Sequence, residues 1–210
     1  MQKKIKLVMI HGGKTFNDYK SYIRYLTEKK ISLNKVPYWY DDYLDEKLGR
    51  KFEIIRLSLP ARENAKYSEW KIIFEKYAQF FDSSTIIIGN SLGGTFLAKY
   101  LSENSLPVKI YSIFLVASPF DDTCINETLA KDFKLKPSLK LVESNSRNQY
   151  LVFSADDDIV PVSHATKYKE KLPHAVVNVY NGKNGHFRIN EFPEILDNIL
   201  SSVKNMKNLN

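Results

Sequence analysis

The sequence predicts an α/β protein in which about six mostly parallel strands form the middle layer of a three-layer α/β/α sandwich. Six short apolar runs are typical of buried strands: Ile5–Ile10, Phe52–Leu57, Thr85–Ile88, Ile110–Val116, Tyr150–Ser154 and Val176–Tyr180. Segments with helical spacing of apolar residues separate these runs. Nearly all-apolar strands that alternate with amphipathic helices indicate a parallel sheet that is covered on both faces.

Helical periodicity is clear in five segments, which are Tyr19–Lys29, Ser68–Phe81, Leu92–Glu103, Ser163–Lys171 and Glu191–Val203. Weaker patterns predict short helices at Tyr40–Leu48 and Glu127–Phe133. Aromatic residues at helical spacing in the second segment favour core or half-buried positions for Trp70, Phe74, Tyr77 and Phe81. We expect Asn205–Asn210 to fray. The absence of repeats and linkers predicts one domain over residues 1–210.

The composition excludes several classes of protein. A chain of 210 residues with 43% hydrophobic residues can bury a substantial core. The run Ile5–Ile10 is too short for a membrane span or a signal peptide, and the single cysteine, Cys124, excludes an internal disulfide. The net charge of +7 comes from lysines interleaved with acids, which is typical of solvated helix faces. We therefore expect a cytoplasmic protein with no nucleic-acid partner and no membrane span.

The most informative stretch is Ile86–Gly94, which reads Ile-Ile-Ile-Gly-Asn-Ser-Leu-Gly-Gly. Three β-branched residues end in Gly-x-Ser-x-Gly, and a predicted helix follows at once. This order is typical of a nucleophile elbow, in which a strand turns sharply into a helix and holds a serine at the turn. Gly89 and Gly93 leave room for such a turn. We therefore predict that Ser91 is a nucleophile rather than a cap of the following helix.

Polar clusters follow four of the predicted strands. They are His11-Gly12-Gly13, Ser91, Asp156-Asp157-Asp158 and Gly185-His186-Phe187. Because functional residues of open α/β sheets collect at the carboxyl ends of the strands, we expect these clusters to lie at one rim. Their order along the chain, serine then acid then histidine, is that of the catalytic triad in α/β-hydrolases.

This set of side chains suits acyl transfer. The Ser91 hydroxyl needs a general base within hydrogen-bond reach, and histidine as a residue type suits that role because its ordinary pKa lies near neutral pH, which makes His186 the candidate base. A carboxylate would fix the imidazole tautomer and stabilise its protonated form. The backbone N–H of Leu92 and a second N–H from the loop after the first strand would hold the oxyanion. This chemistry needs no cofactor, and the acids are not spaced with histidines as metal ligands.

The sequence resembles α/β-hydrolases over nearly the whole chain, and most resembles the small serine hydrolases of the retinoblastoma-binding-protein and YdeN type. The closer resemblance lies in Ser-Ala-Asp-Asp-Asp-Ile-Val-Pro at 154–161, followed by Gly-His-Phe. It implies a minimal α/β-hydrolase fold with strand order 2-1-3-4-5-6. Many α/β-hydrolases place the acid four residues before this proline, which favours Asp157 over Asp156 as the partner of His186.

Three local features qualify the resemblance. Asn90 stands where histidine often precedes the nucleophile, a change that the motif tolerates. Lys14 after the double glycine is less typical, so the second oxyanion donor is either Gly13 or Lys14. Roughly thirty residues, Ala117–Asn148, separate the fourth and fifth strands, and this length predicts no large cap domain.

Several other residues have alternative interpretations. Asp121-Asp122 is a second candidate acid pair, which we interpret as part of a loop or a helix cap. His11 is expected to make a structural hydrogen bond in the oxyanion loop, whereas His164 and His174 are expected at the surface. Cys124 is expected to be inert.

The sequence therefore predicts a serine hydrolase with carboxylesterase-like activity on a small-molecule acyl substrate. The aromatic run Tyr38-Trp39-Tyr40 could wall an acyl pocket, but packing of a helix onto the sheet is the interpretation that we favour. A hydrolase-fold binding protein with little turnover and an acyltransferase remain alternatives. Esters, thioesters and amides all remain open as substrates, as does the oligomeric state.

Overall fold

The computed structural model of the protein describes residues 4–33 and 38–207, without the side chains of Lys131 and Lys207. Within these ranges the strands are β1 (Ile5–Ile10), β2 (Phe52–Leu57), β3 (Ile86–Asn90), β4 (Ile110–Val116), β5 (Ser146–Ser154) and β6 (Val176–Tyr180). They form one parallel sheet in the order β2-β1-β3-β4-β5-β6. The predicted fold class and strand order are therefore confirmed.

Two strands differ in extent from the sequence prediction. β3 runs on to Asn90, where it pairs with Val116 at the end of β4. β5 starts at Ser146, four residues before the predicted start at Tyr150, because its first residues pair with the beginning of β4. The polar composition of that first stretch hides its strand character.

Seven α-helices accompany the sheet in the described residues. They are α1 (Tyr19–Glu28), α2 (Tyr43–Leu48), α3 (Tyr67–Ala78), α4 (Leu92–Glu103), α5 (Lys140–Asn145), α6 (Ser163–Lys171) and α7 (Pro193–Lys207). Single 3₁₀ turns occur at Gly49–Lys51, Arg62–Asn64 and Lys131–Phe133. The five helices expected with clear periodicity are present, with ends shifted by a few residues.

Of the two weaker helix predictions, Tyr40–Leu48 corresponds to α2, which begins at Tyr43, whereas the other needs correction. The segment predicted at Glu127–Phe133 contains only the 3₁₀ turn at its end, since side chains of the neighbouring loops bind the backbone N–H groups of Leu129 and Ala130. The expectation of fraying is wrong for Asn205–Lys207, which continue α7, and residues 208–210 lie outside the described part of the chain. Helix α5 was not predicted.

Apolar side chains cover both faces of the sheet. On one face α3 and α4 bury Trp70, Phe74 and Phe96 against the strands, and all three are fully enclosed. On the other face α2 and α7 bury Leu44 and Ile199. The predicted aromatic stripe of α3 thus packs into the core, and both faces of the sheet that carries the loops at its carboxyl edge are covered.

Helix α1 departs from the expected role of a sheet-covering helix. It has no buried residue, although its apolar spacing is clear. Phe16, just before it, packs against Tyr22 and Tyr25 with ring centroids 5.3 Å apart in both pairs. The hydroxyl of Tyr25 donates to Glu63 at 2.6 Å. Helix α1 therefore lies beside the loops at the sheet's carboxyl edge rather than on the sheet.

The connection between β4 and β5 contains only the turn at Lys131–Phe133 and the short helix α5. No large cap domain is inserted there, as the length of the segment predicts. None of the described helices is both long and apolar enough to cross a lipid bilayer.

Candidate active site

Ser91 occupies the turn between β3 and α4 with a strained backbone. Its φ of 52° and ψ of −125° fall outside the regions that side-chain-bearing residues favour. The Ser91 N–H donates to the carbonyl of Val116 at 2.8 Å, which fixes the turn against β4. The side chain makes no capping hydrogen bond to α4. The geometry is that of a nucleophile elbow, and the serine hydroxyl is not used to cap the helix.

Glycines surround this turn because the backbone segments touch. A Cβ atom on Gly89 would lie 2.5 Å from the Cα of Gly94, and one on Gly93 would lie 2.5 Å from the carbonyl oxygen of His11. Neither contact can be relieved by rotating a side chain. The elbow therefore depends on glycine at these positions, and it pins the start of α4 against the loop after β1.

His186 lies against Asp157. Its Nδ1 is 2.9 Å from Oδ2 and 3.0 Å from Oδ1 of the carboxylate. The Asp157 side chain is fully buried, and Oδ1 accepts the backbone N–H groups of Ile159 and Val160 at 2.9 and 2.8 Å. A carboxylate held in this way orients the imidazole so that Nε2 is the nitrogen left for another partner.

The two neighbouring acids have other contacts. Asp156 accepts hydrogen bonds from Ser154 Oγ and from the N–H groups of Lys183 and Gly185, the latter two at 3.1 Å. The bond from Ser154, followed by these backbone donors, lowers the pKa of Asp156 to about 2. Asp158 pairs with Arg188 at 2.9 Å. Of the three consecutive acids, Asp157 is the one that contacts His186.

The loop after β1 is held by His11. Its Nε2 lies 3.2 Å from the N–H of Leu59, and its Nδ1 lies 2.7 Å from the carbonyl of Gly12. Because Nε2 accepts from a backbone donor, we assign the ring proton to Nδ1. Burial lowers the pKa of His11, so the imidazole is kept neutral in this role. The contacts are those of a structural residue.

Two backbone N–H groups beside Ser91 make no hydrogen bond within the described residues and are placed to bind an oxyanion. Leu92 is the first residue of α4, so its N–H has no partner within the helix. The N–H of Lys14 donates to the carbonyl of Arg62 at 2.9 Å and is therefore occupied. In the described part of the chain, no hydrogen bond uses the N–H of Gly13. The geometry favours Gly13 over Lys14 as the second donor.

Two cavities meet at Ser91. The smaller one has a volume of about 120 Å³ and lies between the loops after β1 and β4, where Phe16, Tyr25 and Leu129 line it. The larger cleft has a volume of about 450 Å³ and includes His186. An ion pair between Lys14 and Glu127 borders both spaces. Ser91 thus lines two cavities that differ in volume.

The aromatic run before α2 is divided between packing and the cleft. Trp39 is fully buried and meets Phe192 edge-on at 5.3 Å, as expected for packing onto the sheet. Tyr38 and Tyr40 stack on each other at 5.4 Å and line the larger cleft. Neither tyrosine lines the smaller cavity beside Ser91.

The expected surface position of His164 is wrong. Its side chain is fully buried, its Nδ1 accepts the N–H of Phe120 at 2.9 Å, and its Nε2 lies 3.2 Å from Thr123 Oγ1. Burial lowers the pKa of His164. The loop after β4 folds over this histidine, which ties the loop to α6, whereas His174 is exposed as expected.

Asp121 and Asp122 serve the same loop. Asp121 binds Lys167 at 2.8 Å, and Asp122 accepts the N–H of Leu129 at 2.7 Å.

Cys124 borders the smaller cavity, but burial raises the pKa of its thiol to about 12, which disfavours the reactive thiolate. Among the described residues, no three His, Cys, Asp or Glu side chains are arranged to hold a metal ion.

Arg62 is a residue of the cleft that the sequence pattern does not reveal. It lies in the 3₁₀ turn after β2 and lines the larger cleft together with Ser91 and His186. Its neighbour Glu63 also borders the cleft. Neither residue belongs to a motif, and their only available signal is position after the carboxyl end of a strand.

Comparisons with known proteins agree with this geometry. A sequence profile of the serine hydrolase family matches residues 37–200. The structure of the ydeN gene product of Bacillus subtilis aligns with a TM-score of 0.74 and 17% identity, covering 96% of this chain and all of the other. A YdeN-like hydrolase from Pectobacterium atrosepticum aligns with a TM-score of 0.63 and 12% identity, covering 94% and 90%.

A third structure comes from a study of carboxylesterases of the thaumarchaeon Nitrososphaera gargenis. It aligns with a TM-score of 0.59 and 14% identity, covering 98% of this chain and 92% of the other. At such identities these likenesses establish the α/β-hydrolase fold alone. No curated protein matches the sequence.

Proposed function

Because the chain belongs to the serine hydrolase family, we propose that it hydrolyses small carboxylic esters through an acyl-enzyme formed on Ser91. One observation carries the proposal: His186 Nδ1 lies 2.9 Å from the buried carboxylate of Asp157, in a cleft that Ser91 also lines. A reactive serine, a base and an orienting acid are what this reaction requires.

In the first half-reaction, Ser91 Oγ attacks the ester carbonyl carbon while His186 Nε2 takes the hydroxyl proton. The carbonyl oxygen becomes an oxyanion, which the N–H groups of Leu92 and Gly13 stabilise. The tetrahedral intermediate then breaks the bond to the alcohol oxygen. His186 returns its proton to that oxygen, so a neutral alcohol leaves and the acyl group stays on Ser91.

In the second half-reaction, water replaces the alcohol. His186 takes a proton from water, the hydroxide oxygen attacks the acyl carbon, and the bond to Ser91 Oγ breaks. The proton returns to the serine, and a carboxylic acid is released. Throughout, the carboxylate of Asp157 stabilises the imidazolium that forms in each half-reaction. No cofactor takes part.

The two cavities then have separate roles. The leaving alcohol must lie beside the imidazole that protonates it, and His186 lines only the larger cleft of the two. The acyl group therefore occupies the smaller cavity. A buried cavity of about 150 Å³ holds benzene, so the 120 Å³ available here fits an acyl chain of about four carbons.

Two alternatives are less well supported. A binding protein with a blocked site would have aromatic side chains over Ser91, but two cavities open onto this residue. An acyltransferase uses the same acyl-enzyme and differs only in the acceptor, so product analysis with added alcohols separates it from a hydrolase.

We also propose the cytoplasm as the location, because the single cysteine, Cys124, is free.

The test combines active-site labelling with a chain-length series. A fluorophosphonate probe should label the wild type and fail to label Ser91→Ala, while Ser105→Ala, at an exposed loop position, should be labelled normally. Among para-nitrophenyl esters, acetate to butyrate should be cleaved faster than octanoate. Persistent labelling of Ser91→Ala would overturn the nucleophile, and preference for octanoate would overturn the small acyl substrate.

A further inference from the structure

Charged side chains line the larger cleft, and most of them are neutralised by a partner of opposite charge. Lys14 pairs with Glu127, and Arg188 pairs with Asp158 at 2.9 Å. Glu63 pairs with Lys29 at 2.9 Å, and it also accepts the hydroxyl hydrogen bond of Tyr25. These pairs satisfy one another and leave little charge for a substrate.

Arg62 differs from the other charged residues of the cleft. In the described part of the chain, no carboxylate lies within ion-pair distance of its guanidinium group. Its Nε donates to the carbonyl of Gly12 at 3.1 Å, and its Nη2 donates to Tyr40 Oη at 3.4 Å. An arginine has five N–H donors, so the remaining three have no protein acceptor among the residues that the structure describes.

The position of this guanidinium is set by the oxyanion loop. The Arg62 carbonyl accepts the N–H of Lys14, and the Arg62 side chain binds Gly12 two residues earlier on the same loop. Arg62 lines the cleft that holds His186 and does not line the smaller acyl cavity. Its guanidinium is held by Gly12 and Tyr40, which also line that cleft, and therefore borders the space assigned to the leaving group.

We infer that Arg62 binds an oxyanionic group, a carboxylate or a phosphate, on the alcohol portion of the substrate. The favoured substrates are then short-chain acyl esters whose alcohol carries such an anion. A planar guanidinium with free N–H donors suits these groups, because two of its donors can meet two oxygens at once. This inference rests on the proposed function and specifies its substrate class.

The experiment compares three aryl acetates that differ in one para substituent: para-acetoxybenzoate, para-acetoxybenzamide and para-acetoxyphenyl phosphate. The benzamide is the neutral counterpart of the carboxylate. Arg62→Gln removes the positive charge. Arg62→Lys keeps the charge but replaces the planar guanidinium with an ammonium group. Arg24→Gln, on the exposed face of α1, is the control for the change in net charge.

For Arg62→Gln, kcat/KM should fall about tenfold on an anionic ester and stay within about twofold on the benzamide. Arg62→Lys should retain part of the preference, whereas Arg24→Gln should retain all of it. The larger loss, on carboxylate or on phosphate, identifies the anion. An equal loss on charged and neutral esters would reduce Arg62 to a structural role and overturn the inference.

Failure of this inference is distinguishable from failure of the proposed function. If Ser91 reacts with fluorophosphonate and the neutral ester is cleaved, but wild type and Arg62→Gln treat all three esters alike, only the anion site is wrong. If Ser91 is unreactive and no ester is cleaved, both fail. A second readout does not depend on turnover. Para-hydroxybenzoate should protect Ser91 from labelling by the fluorophosphonate probe, and this protection should be weaker in Arg62→Gln than in the wild type.

Discussion

The imidazole of His186 touches both carboxylate oxygens of Asp157, at 2.9 and 3.0 Å, whereas the adjacent Asp156 binds the backbone of the loop that carries the histidine. Two consecutive acids thus act on the same histidine in different ways. Asp157 contacts the ring and sets its orientation, and Asp156 holds the backbone segment that carries the ring.

The first prediction separates these two acids. Asp157→Asn should lower kcat for a short ester by about 10⁴-fold, because an amide neither fixes the required tautomer nor stabilises the imidazolium. Asp156→Asn should retain far more activity, since it leaves the contact with His186 intact. Circular dichroism checks that both variants are folded. A larger loss of kcat in Asp156→Asn would reverse the assignment.

The second prediction concerns the elbow. Gly89→Ala should lower the free energy of unfolding by about 3 kcal/mol or more, because the new Cβ would lie 2.5 Å from the backbone of Gly94. Gly49→Ala is the control for backbone strain alone: its φ of 62° and ψ of −162° cost a residue with a side chain about 1–3 kcal/mol, but the space around the position is open, so no clash adds to that strain. Urea unfolding of both variants measures the difference, and equal losses would contradict the close approach at the elbow.

The third prediction tests the acyl cavity. Phe16→Ala should enlarge the space beside Ser91 and move the preferred para-nitrophenyl ester from butyrate or shorter towards hexanoate or octanoate. Tyr19→Ala is the control, because Tyr19 is 73% exposed on α1 and does not line either cavity. A chain-length profile of Phe16→Ala that matches the wild type would place the acyl group elsewhere.

The fourth prediction follows from the burial of His164. Burial lowers its pKa from the ordinary value of 6.5, so the unfolded state binds a proton more readily than the folded state. This histidine therefore contributes less stability as the pH falls below about 6.5. In His164→Asn, whose amide oxygen can still accept the N–H of Phe120, that part of the pH dependence should be absent.

Urea unfolding at about pH 7 and about pH 5 measures this effect. The stability of the wild type should fall more steeply than that of His164→Asn over this interval. His11, whose pKa is also lowered by burial, is present in both proteins, so its contribution cancels. Parallel pH profiles would show that the pKa of His164 is not lowered in the folded state.

Much of the fold could be predicted because most of its strands are recognisable as short apolar runs in the sequence. The central runs are nearly all apolar, and the Gly-x-Ser-x-Gly turn marks the end of β3. The beginning of β5 could not be read in this way, because Arg147 and Asn148 are polar and become strand only by pairing beside β4. Helix α1 has the periodicity of a sheet-covering helix, and nothing in that pattern tells which surface it meets.

The residues of the candidate site likewise fall into those that sequence motifs reveal and those that they do not. Ser91 and His186 stand in short motifs at strand ends, so their meeting in one cleft follows from the topology. His164 was misplaced because its burial depends on the path of the loop after β4. Arg62 was missed because an arginine in a turn carries no motif. Its significance comes from a contrast: its charged neighbours in the cleft form ion pairs, whereas Arg62 forms none within the described residues.

The most direct measurement is to locate the acyl group during turnover. Wild-type protein mixed with a short para-nitrophenyl ester, quenched at early times and digested, should yield an acylated peptide that carries the modification on Ser91. The adduct should disappear as the ester is consumed, because water releases the acid. Ester turnover with no adduct on Ser91, or with the acyl group on Cys124 instead, would contradict the proposed mechanism.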